Sequence, residues 1–191
     1  MAYANDNLPL PMIGLTGRRN VGKSTVANLL VKEFGYQKAH AFEVGLEAAR
    51  EFFIAMGFDA DDAWEMTYGD LKDVPNEDLP GGVAPRYYLE KSGHFHATVL
   101  GTEWTLALAI KCARRRAPHA PIVVESLVYE APWFKQQGGI VWRLERPGHE
   151  GPAGVESDKV QALIVADEVI AAVTKEELLS RARESARRMV D

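Results

Sequence analysis

The chain has 191 residues, 47% of them hydrophobic, which suffices for one substantial core but falls short of what two ordinary domains need. Its net charge of −5 disfavours a broad nucleic-acid surface, because such binding comes mainly from neutralised phosphates, but a local basic groove is compatible with it. The single cysteine, Cys112, can form no internal disulfide, and the sequence shows neither a signal-peptide pattern nor a membrane-spanning apolar run. We therefore expect a soluble cytoplasmic protein.

The first third of the chain follows the order strand, loop, helix, strand, helix. Residues 10–16 form an apolar strand candidate, and residues 23–34 repeat apolar side chains at helical spacing after a glycine-rich stretch. Residues 36–42 fit a second strand, and residues 46–56 fit an amphipathic helix closed by Gly57.

The rest of the chain alternates in the same way after an acidic interruption. Residues 59–82 are rich in turn formers, which predicts loop with short helical pieces. Further helices are predicted at residues 84–90, 102–116 and 175–189, and further strands at 121–125, 140–144 and 168–171. Residues 146–158 hold three glycines and two prolines, too many for regular structure but well suited to a flexible lid.

Strands that alternate with helices predict an α/β fold with three α/β/α layers and a mostly parallel sheet. We expect all 191 residues to form a single domain of this kind.

The strongest chemical signal lies in residues 17–24, GRRNVGKS, which match the phosphate-loop pattern GxxxxGK[ST] between a predicted strand and a predicted helix. Glycines let successive backbone N–H groups point inwards, and the helix N-terminus adds partial positive charge. Lys23 should reach the β- and γ-phosphates of ATP, and Ser24 should bind Mg²⁺. The nucleotide-binding residues expected from the motif are Gly17, Arg18, Arg19, Asn20, Val21, Gly22, Lys23, Ser24 and Thr25.

A second metal-associated residue is predicted at the end of the strand at 121–125. P-loop proteins often keep a carboxylate there, near the metal ion and its waters, which makes Glu125 the candidate. An acid that simply ends a strand at the solvent boundary is the alternative interpretation.

The loop sequence also resembles the phosphate loop of small ribosome-associated GTPases, so a GTPase or ATPase switch is an alternative function. Such proteins bind guanine through an Asn-Lys-x-Asp motif, but no asparagine of this chain is followed by lysine. Residues 78–81, DLPG, match their DxxG motif, yet they follow LKDVPNE instead of an apolar strand. These two departures favour a kinase over a switch.

Four further stretches resemble, in sequence and in order, the phage deoxynucleoside monophosphate kinase family. They are YGDLKD with Pro75, PRYYL from Pro85, GTEW from Gly101, and a C-terminal series of GGIVWRLERP, VESD and ADEVI. The resemblance covers nearly the whole chain. It implies Mg-assisted, ATP-dependent phosphorylation of a deoxynucleoside monophosphate to the diphosphate, in the host cytoplasm for a phage-encoded enzyme, and it suggests a homodimer.

The resemblance also assigns roles to side chains outside the phosphate loop. Arg86 would bind the acceptor phosphate, and Arg146, with Arg143 as a second candidate, would close over the transferring group from a lid at about 146–158. The expected catalytic residues are Lys23, Arg146 and Arg86. The acceptor-binding residues would be Glu43, Arg86, Thr102, Glu103 and Trp104, in an acceptor-side insertion at about 43–105. A helix start capped by Thr102, with Trp104 in the core, would explain the GTEW block without a ligand.

The chain departs from this family at positions that bear on the substrate. Ser126-Leu127-Val128 stands where the family has Asp-Val-Arg, and Glu47 stands where it has a lysine. Both changes favour an unusual or modified nucleotide as acceptor. The main alternative is a P-loop kinase that phosphorylates a hydroxymethyl base, free or in DNA, with Glu43 or Glu103 as the general base.

Overall fold

The structure is a computed structural model that describes residues 10–101, 103–149 and 156–189, without the side chains of residues 156–158. The chain folds into two compact units. The first unit comprises the chain up to Ala41 and from Ile110 onwards. The second unit is Phe42–Ala109.

A parallel sheet forms the centre of the first unit. Its strands are β1 (Met12–Thr16), β2 (Gln37–His40), β3 (Ile122–Glu125), β4 (Ile140–Glu145) and β5 (Glu168–Ala171). Their spatial order is β2-β3-β1-β4-β5, and every neighbouring pair is parallel. The α/β class with a mostly parallel sheet, predicted from the alternation of elements, is confirmed.

Eight α-helices accompany the sheet in the described residues. They are α1 (Lys23–Phe34), α2 (Glu43–Ala55), α3 (Ala60–Thr67), α4 (Pro85–Phe95), α5 (Trp104–Arg116), α6 (Ala131–Gln136), α7 (Glu156–Leu163) and α8 (Lys175–Arg188). A 3-10 turn at Asp70–Asp73 and a π-helical turn at His96–Leu100 complete the second unit. None of these described helices is both long and apolar enough to cross a bilayer.

The core of the first unit holds the phosphate-loop strand in place. Strands of a parallel sheet are covered on both faces, so their side chains form continuous apolar runs in the sequence. Every residue of β1 is buried, and Trp142 of β4 is fully enclosed. Ile13 and Leu15 of β1 and Trp142 pack with residues of α1 and α8 that include Val26, Ala27, Leu30, Leu178, Ala182 and Ala186. Burial of each large side chain contributes roughly 1.5–3 kcal/mol, which fixes the end of β1 relative to α1.

The second unit has a separate apolar cluster made by its helices. The cluster contains Leu46, Ala49, Phe53, Ala63, Met66, Leu79 and Leu89. Helix α3 falls in the acidic stretch at 59–82, where short helical pieces are expected. The Asp59 carboxylate starts this helix by accepting a hydrogen bond from the Asp62 N–H at 2.8 Å.

The lid prediction needs one correction. Residues 146–158 are predicted to lack regular structure, but α7 begins at Glu156 and so occupies the end of this stretch. The glycines and prolines that interrupt the sequence end at Gly154, and the residues that follow are compatible with a helix.

Candidate active site

The phosphate loop joins the end of β1 to the first turn of α1. Gly17, Asn20 and Gly22 adopt positive φ angles of 131°, 61° and 112°, which curl the backbone between strand and helix. A side chain at position 17 would collide with the Leu144 carbonyl oxygen, so only glycine fits there. Gly22 is the N-cap of α1 and has no side chain to bond the first-turn N–H groups. Those groups form the kind of helix N-terminus that binds phosphate oxygens.

Lys23 extends over the loop from the first position of α1. Its Nζ donates hydrogen bonds to the carbonyl oxygens of Gly17 at 2.6 Å and of Arg18 at 3.0 Å. These contacts place the ammonium group against the concave backbone of residues 17–22. A bound phosphate would therefore meet both backbone N–H groups and a positive charge.

Ser24 and Glu125 come together although they lie far apart in the sequence. The Ser24 hydroxyl donates a hydrogen bond to Glu125 Oε1, and the Lys38 ammonium lies 3.2 Å from Oε2. Burial raises the pKa of the Glu125 carboxyl, but the Ser24 hydrogen bond and the charges of Lys38 and His40 outweigh it and keep the pKa below its ordinary value. Glu125 is therefore ionised at neutral pH.

This pair of side chains fits a magnesium ion. Mg²⁺ prefers hard oxygen donors and usually binds proteins through one or two side chains, with phosphates and waters completing its shell. The Ser24 hydroxyl and the Glu125 carboxylate are such donors, and they lie within direct contact of each other.

The backbone after Glu125 is tied to the phosphate-loop strand. Ser126 has a φ of 66°, which turns the chain sharply at the end of β3. The Leu127 N–H donates to the Leu15 carbonyl at 2.8 Å, and the Thr16 hydroxyl donates to the Leu127 carbonyl at 3.2 Å. These bonds fix Glu125 relative to β1, at the carboxyl ends of the strands, where ligands bind in open α/β sheets.

Arg146 lies in a turn directly after β4 that also contacts the phosphate loop. Its carbonyl accepts a hydrogen bond from the His149 N–H at 3.0 Å. His149 Nε2 lies 2.8 Å from the Arg19 carbonyl oxygen, and Arg18 donates to the His149 carbonyl at 3.4 Å. We call residues 146–149 the lid root; residues 150–155 of the expected lid lie outside the described residues.

A cavity of about 430 Å³ opens between the phosphate loop and the lid root. It is lined by Gly17, Arg18, Val21, Arg146, His149 and Gln161, among others. Arg146 therefore faces the same space as the start of the phosphate loop. Arg143, the second lid candidate, also lines the cavity, but its Nη2 donates to the carbonyl oxygens of Ala162 and Ile164 near the end of α7.

In the second unit, Arg86 is held by a carboxylate. The guanidinium donates from Nε and Nη2 to the two oxygens of Asp73, with 2.8 Å between Nη2 and Oδ2. This two-bond fork is also the geometry with which arginine binds phosphate. The fork of Arg86 is thus engaged by an acid of its own chain, and its role as a phosphate ligand stays a prediction.

Trp104 begins α5 and presents an exposed ring. The side chain is 46% exposed, so the interpretation that places it in the core is wrong. One neighbour is the ring of His96, nearly parallel at an interplanar angle of 12° with 6.4 Å between centroids. Of the other expected acceptor residues, Glu103 is exposed just before α5, Glu43 is the first residue of α2, and Thr102 lies outside the described residues.

Glu47 of α2 contacts side chains of its own unit. Its Oε1 accepts a hydrogen bond from the Tyr68 hydroxyl at 2.7 Å, and Arg50 lies 3.4 Å from Oε2. Burial raises the pKa of the Tyr68 hydroxyl above its ordinary value. The hydrogen bond to Glu47 and the negative charge of Glu47 raise it further. Glu47 therefore links α2 to Tyr68, the C-cap residue of α3.

The DxxG match at residues 78–81 lies in a turn of the second unit. The Asp78 N–H donates to Asn76 Oδ1 at 2.9 Å, and no strand precedes this turn in the described part of that unit. This arrangement differs from the strand-borne motif of the GTPases.

Several site residues were missed by sequence reasoning. Lys38 and His40 approach Glu125 because β2 pairs with β3, with His40 opposite Glu125 in the register. His149 reaches the phosphate loop across 130 positions of sequence. Neither strand order nor such a distant contact is encoded in a local pattern.

The sequence matches no protein-family model and no curated protein. Solved structures that resemble the fold include TT1252 from Thermus thermophilus, with 17% identity, a TM-score of 0.46, and coverage of 96% of this chain and 100% of that one. A sugar kinase from Janibacter sp. HTCC2649 has 18% identity, a TM-score of 0.41 and coverage of 94% and 95%. Shikimate kinase from Bacteroides thetaiotaomicron has 11% identity, a TM-score of 0.41 and coverage of 96% and 100%. The similarity to the phage kinase family stays a hypothesis drawn from the sequence.

Proposed function

We propose that the chain is a P-loop kinase that transfers the γ-phosphoryl group of ATP to a deoxynucleoside monophosphate. The observation that carries this proposal is the joint placement of Lys23 over the phosphate loop and of Ser24 against an ionised Glu125. A lone glycine-rich turn would supply neither the ammonium nor the metal ligands.

The donor half of the reaction follows from these groups. The backbone N–H groups of residues 17–24 would hold the phosphates, and Lys23 would exchange its carbonyl partners for β- and γ-phosphate oxygens. Ser24 and Glu125 would hold Mg²⁺, which offsets negative charge on the phosphate oxygens when it is bound. Arg146, from the lid root, would add positive charge on the open side of the loop.

The acceptor half rests on the second unit. A nucleoside monophosphate offers an oxygen that is already ionised, so transfer needs positioning and charge neutralisation more than a general base. Arg86 would bind the acceptor phosphate once its fork is released from Asp73. Trp104 would offer its exposed face to the base, and Glu43 and Glu103 would supply hydrogen-bond acceptors.

The test is a transfer assay with Mg-ATP against a panel of ribo- and deoxynucleoside monophosphates, hydroxymethylated pyrimidine nucleotides and modified duplex DNA. We expect turnover with at least one free deoxynucleoside monophosphate. Phosphorylation of hydroxymethyl groups alone would instead support the alternative kinase. Hydrolysis of the nucleotide without transfer to any acceptor would support a switch.

A further inference from the structure

A buried amide oxygen on a side chain that lines the cavity beside the phosphate loop has no hydrogen-bond partner among the described residues. Gln161 of α7 is only 5% exposed, yet its Oε1 makes no hydrogen bond within the described part of the chain. Buried amide oxygens are nearly always hydrogen-bonded. An oxygen that loses its bound water on burial and gains no other donor raises the free energy of the folded state. Since Gln161 lines the cavity, a ligand there can supply the missing donor.

A second unused group lines the same cavity. Arg143 donates from Nη2 to backbone carbonyls of residues 162 and 164, but its buried Nε has no hydrogen-bond partner among the described residues. Among the described residues, two side chains that line the cavity thus carry a buried atom without a hydrogen-bond partner, an acceptor on Gln161 and a donor on Arg143. A ligand that satisfied both would carry a donor as well as an acceptor.

The position of the cavity identifies the class of ligand. It starts at Gly17 and Arg18, so a triphosphate held by the phosphate loop would extend its nucleoside into this space. Its volume of about 430 Å³ falls within the roughly 300–1,000 Å³ typical of small-molecule sites. The edge of adenine presents an exocyclic N–H donor beside a ring-nitrogen acceptor, which a glutamine amide can recognise.

We propose that Gln161 is a specificity residue for the phosphoryl donor and accepts a hydrogen bond from the exocyclic amine of adenine. This inference deepens the proposed function and rests on its donor half. Recognition of the donor's base would then depend on a residue outside the phosphate loop. This recognition would not depend on which acceptor is bound.

The inference can be tested by binding alone, with ATP and with purine riboside triphosphate, which lacks only the 6-amino group. The proteins are the wild type, Gln161→Met, and the matched control Gln136→Met at an exposed position of α6. We expect wild type and control to bind ATP about tenfold more tightly than the analogue, since one buried hydrogen bond is lost. Gln161→Met should bind both nucleotides with a ratio near one.

A thermal melt separates this role from a structural one. Because Gln161 Oε1 has no hydrogen-bond partner in the part of the chain that the structure describes, Gln161→Met should melt no lower than the wild type when unliganded. A lower melting temperature would show that the amide supports the fold instead.

Two binding results would overturn the inference. The first is equal affinity of the wild type for ATP and for the analogue. The second is a Gln161→Met variant that prefers ATP as strongly as the wild type does. If the wild type transfers phosphate from ATP and also binds the analogue equally well, only the role of Gln161 is lost. If it binds no nucleoside triphosphate, the proposed function fails as well.

Discussion

The two units of the chain present their candidate functional groups in different ways. In the first unit, phosphate would meet backbone N–H groups and a lysine whose present partners are carbonyls of the same loop. In the second unit, the expected ligands are side chains with partners of their own, such as Arg86 with Asp73. Under the proposed function, donor binding would depend on the backbone geometry of the phosphate loop, whereas acceptor binding would require the exchange of side-chain partners. Substitutions at the phosphate loop and at Glu125 should therefore lower the rate of transfer, and substitution of Arg86 in the second unit should act on the acceptor KM.

The largest effect is expected from Lys23→Ala. Loss of the ammonium over the loop should lower kcat by roughly a thousandfold, because charge on the transferring group is no longer offset. Lys32→Ala, at an exposed position of the same helix, should keep wild-type kcat. Steady-state rates with saturating Mg-ATP check both variants; near-normal turnover by Lys23→Ala would remove the phosphate-loop mechanism.

A smaller loss is expected from Glu125→Gln, which keeps the size of the side chain and removes its charge. We expect kcat to fall roughly a hundredfold and the Mg²⁺ concentration for half-maximal rate to rise, since one metal-associated oxygen donor loses its charge. A magnesium titration of the rate measures this, with Glu176→Gln on the exposed face of α8 as the control. If the magnesium requirement is unchanged, Glu125 has no role in metal binding and is simply an acid at the end of its strand.

Substitutions of Arg86 and of its partner Asp73 test the acceptor role proposed for the second unit. Arg86→Ala should raise the KM of the acceptor by roughly ten- to a hundredfold and leave the KM of ATP nearly unchanged, because a charge-assisted fork is lost. Asp73→Asn should lower the acceptor KM, because the competing carboxylate charge is gone. Equal effects of Arg86→Ala on both substrates would contradict the assigned role and weaken the contrast between the units.

The smallest effect on activity, but a measurable effect on stability, is expected at Glu130. This carboxyl is 7% exposed, and burial raises its pKa to about 7 even though the backbone N–H groups of Glu130 and Val128 favour the charged form. The folded state then binds this proton more firmly than the unfolded chain does, so stability is lost as pH rises from about 4.5 to about 7.

Glu130→Gln should remove this pH dependence and stabilise the protein at pH 8 by about 3 kcal/mol, with kcat nearly unchanged. Urea unfolding at pH 5 and pH 8 measures the difference. If the variant and the wild type lose stability equally over this interval, another group is responsible.

Local patterns were sufficient for the phosphate loop and its helix. The glycine spacing and the apolar repeat predicted α1 at residues 23–34, and the structure has the same bounds. The surroundings of Glu125 could not be predicted in this way, because Lys38 reaches it through the pairing of β2 with β3. Strand order is decided by the packing of the whole sheet.

Short helices are the other elements that the sequence pattern does not predict. Helix α6 has six residues, and its second is Pro132, so neither length nor apolar repeat marks it in the sequence. Helices of this length depend on tertiary contacts for their stability, and Phe134 of α6 is fully buried. Likewise, no local pattern in the sequence places Gln161 at the cavity, because the packing of α7 brings it there.

The most direct test of the central claim is to follow the label of γ-³²P-ATP in the presence of Mg²⁺ and the deoxynucleoside monophosphates, with wild type and Lys23→Ala side by side. We predict that the label appears in a deoxynucleoside diphosphate with the wild type and is absent from it with the variant. Label released only as inorganic phosphate, or transferred equally by both proteins, would contradict the assignment of a phosphate-loop kinase.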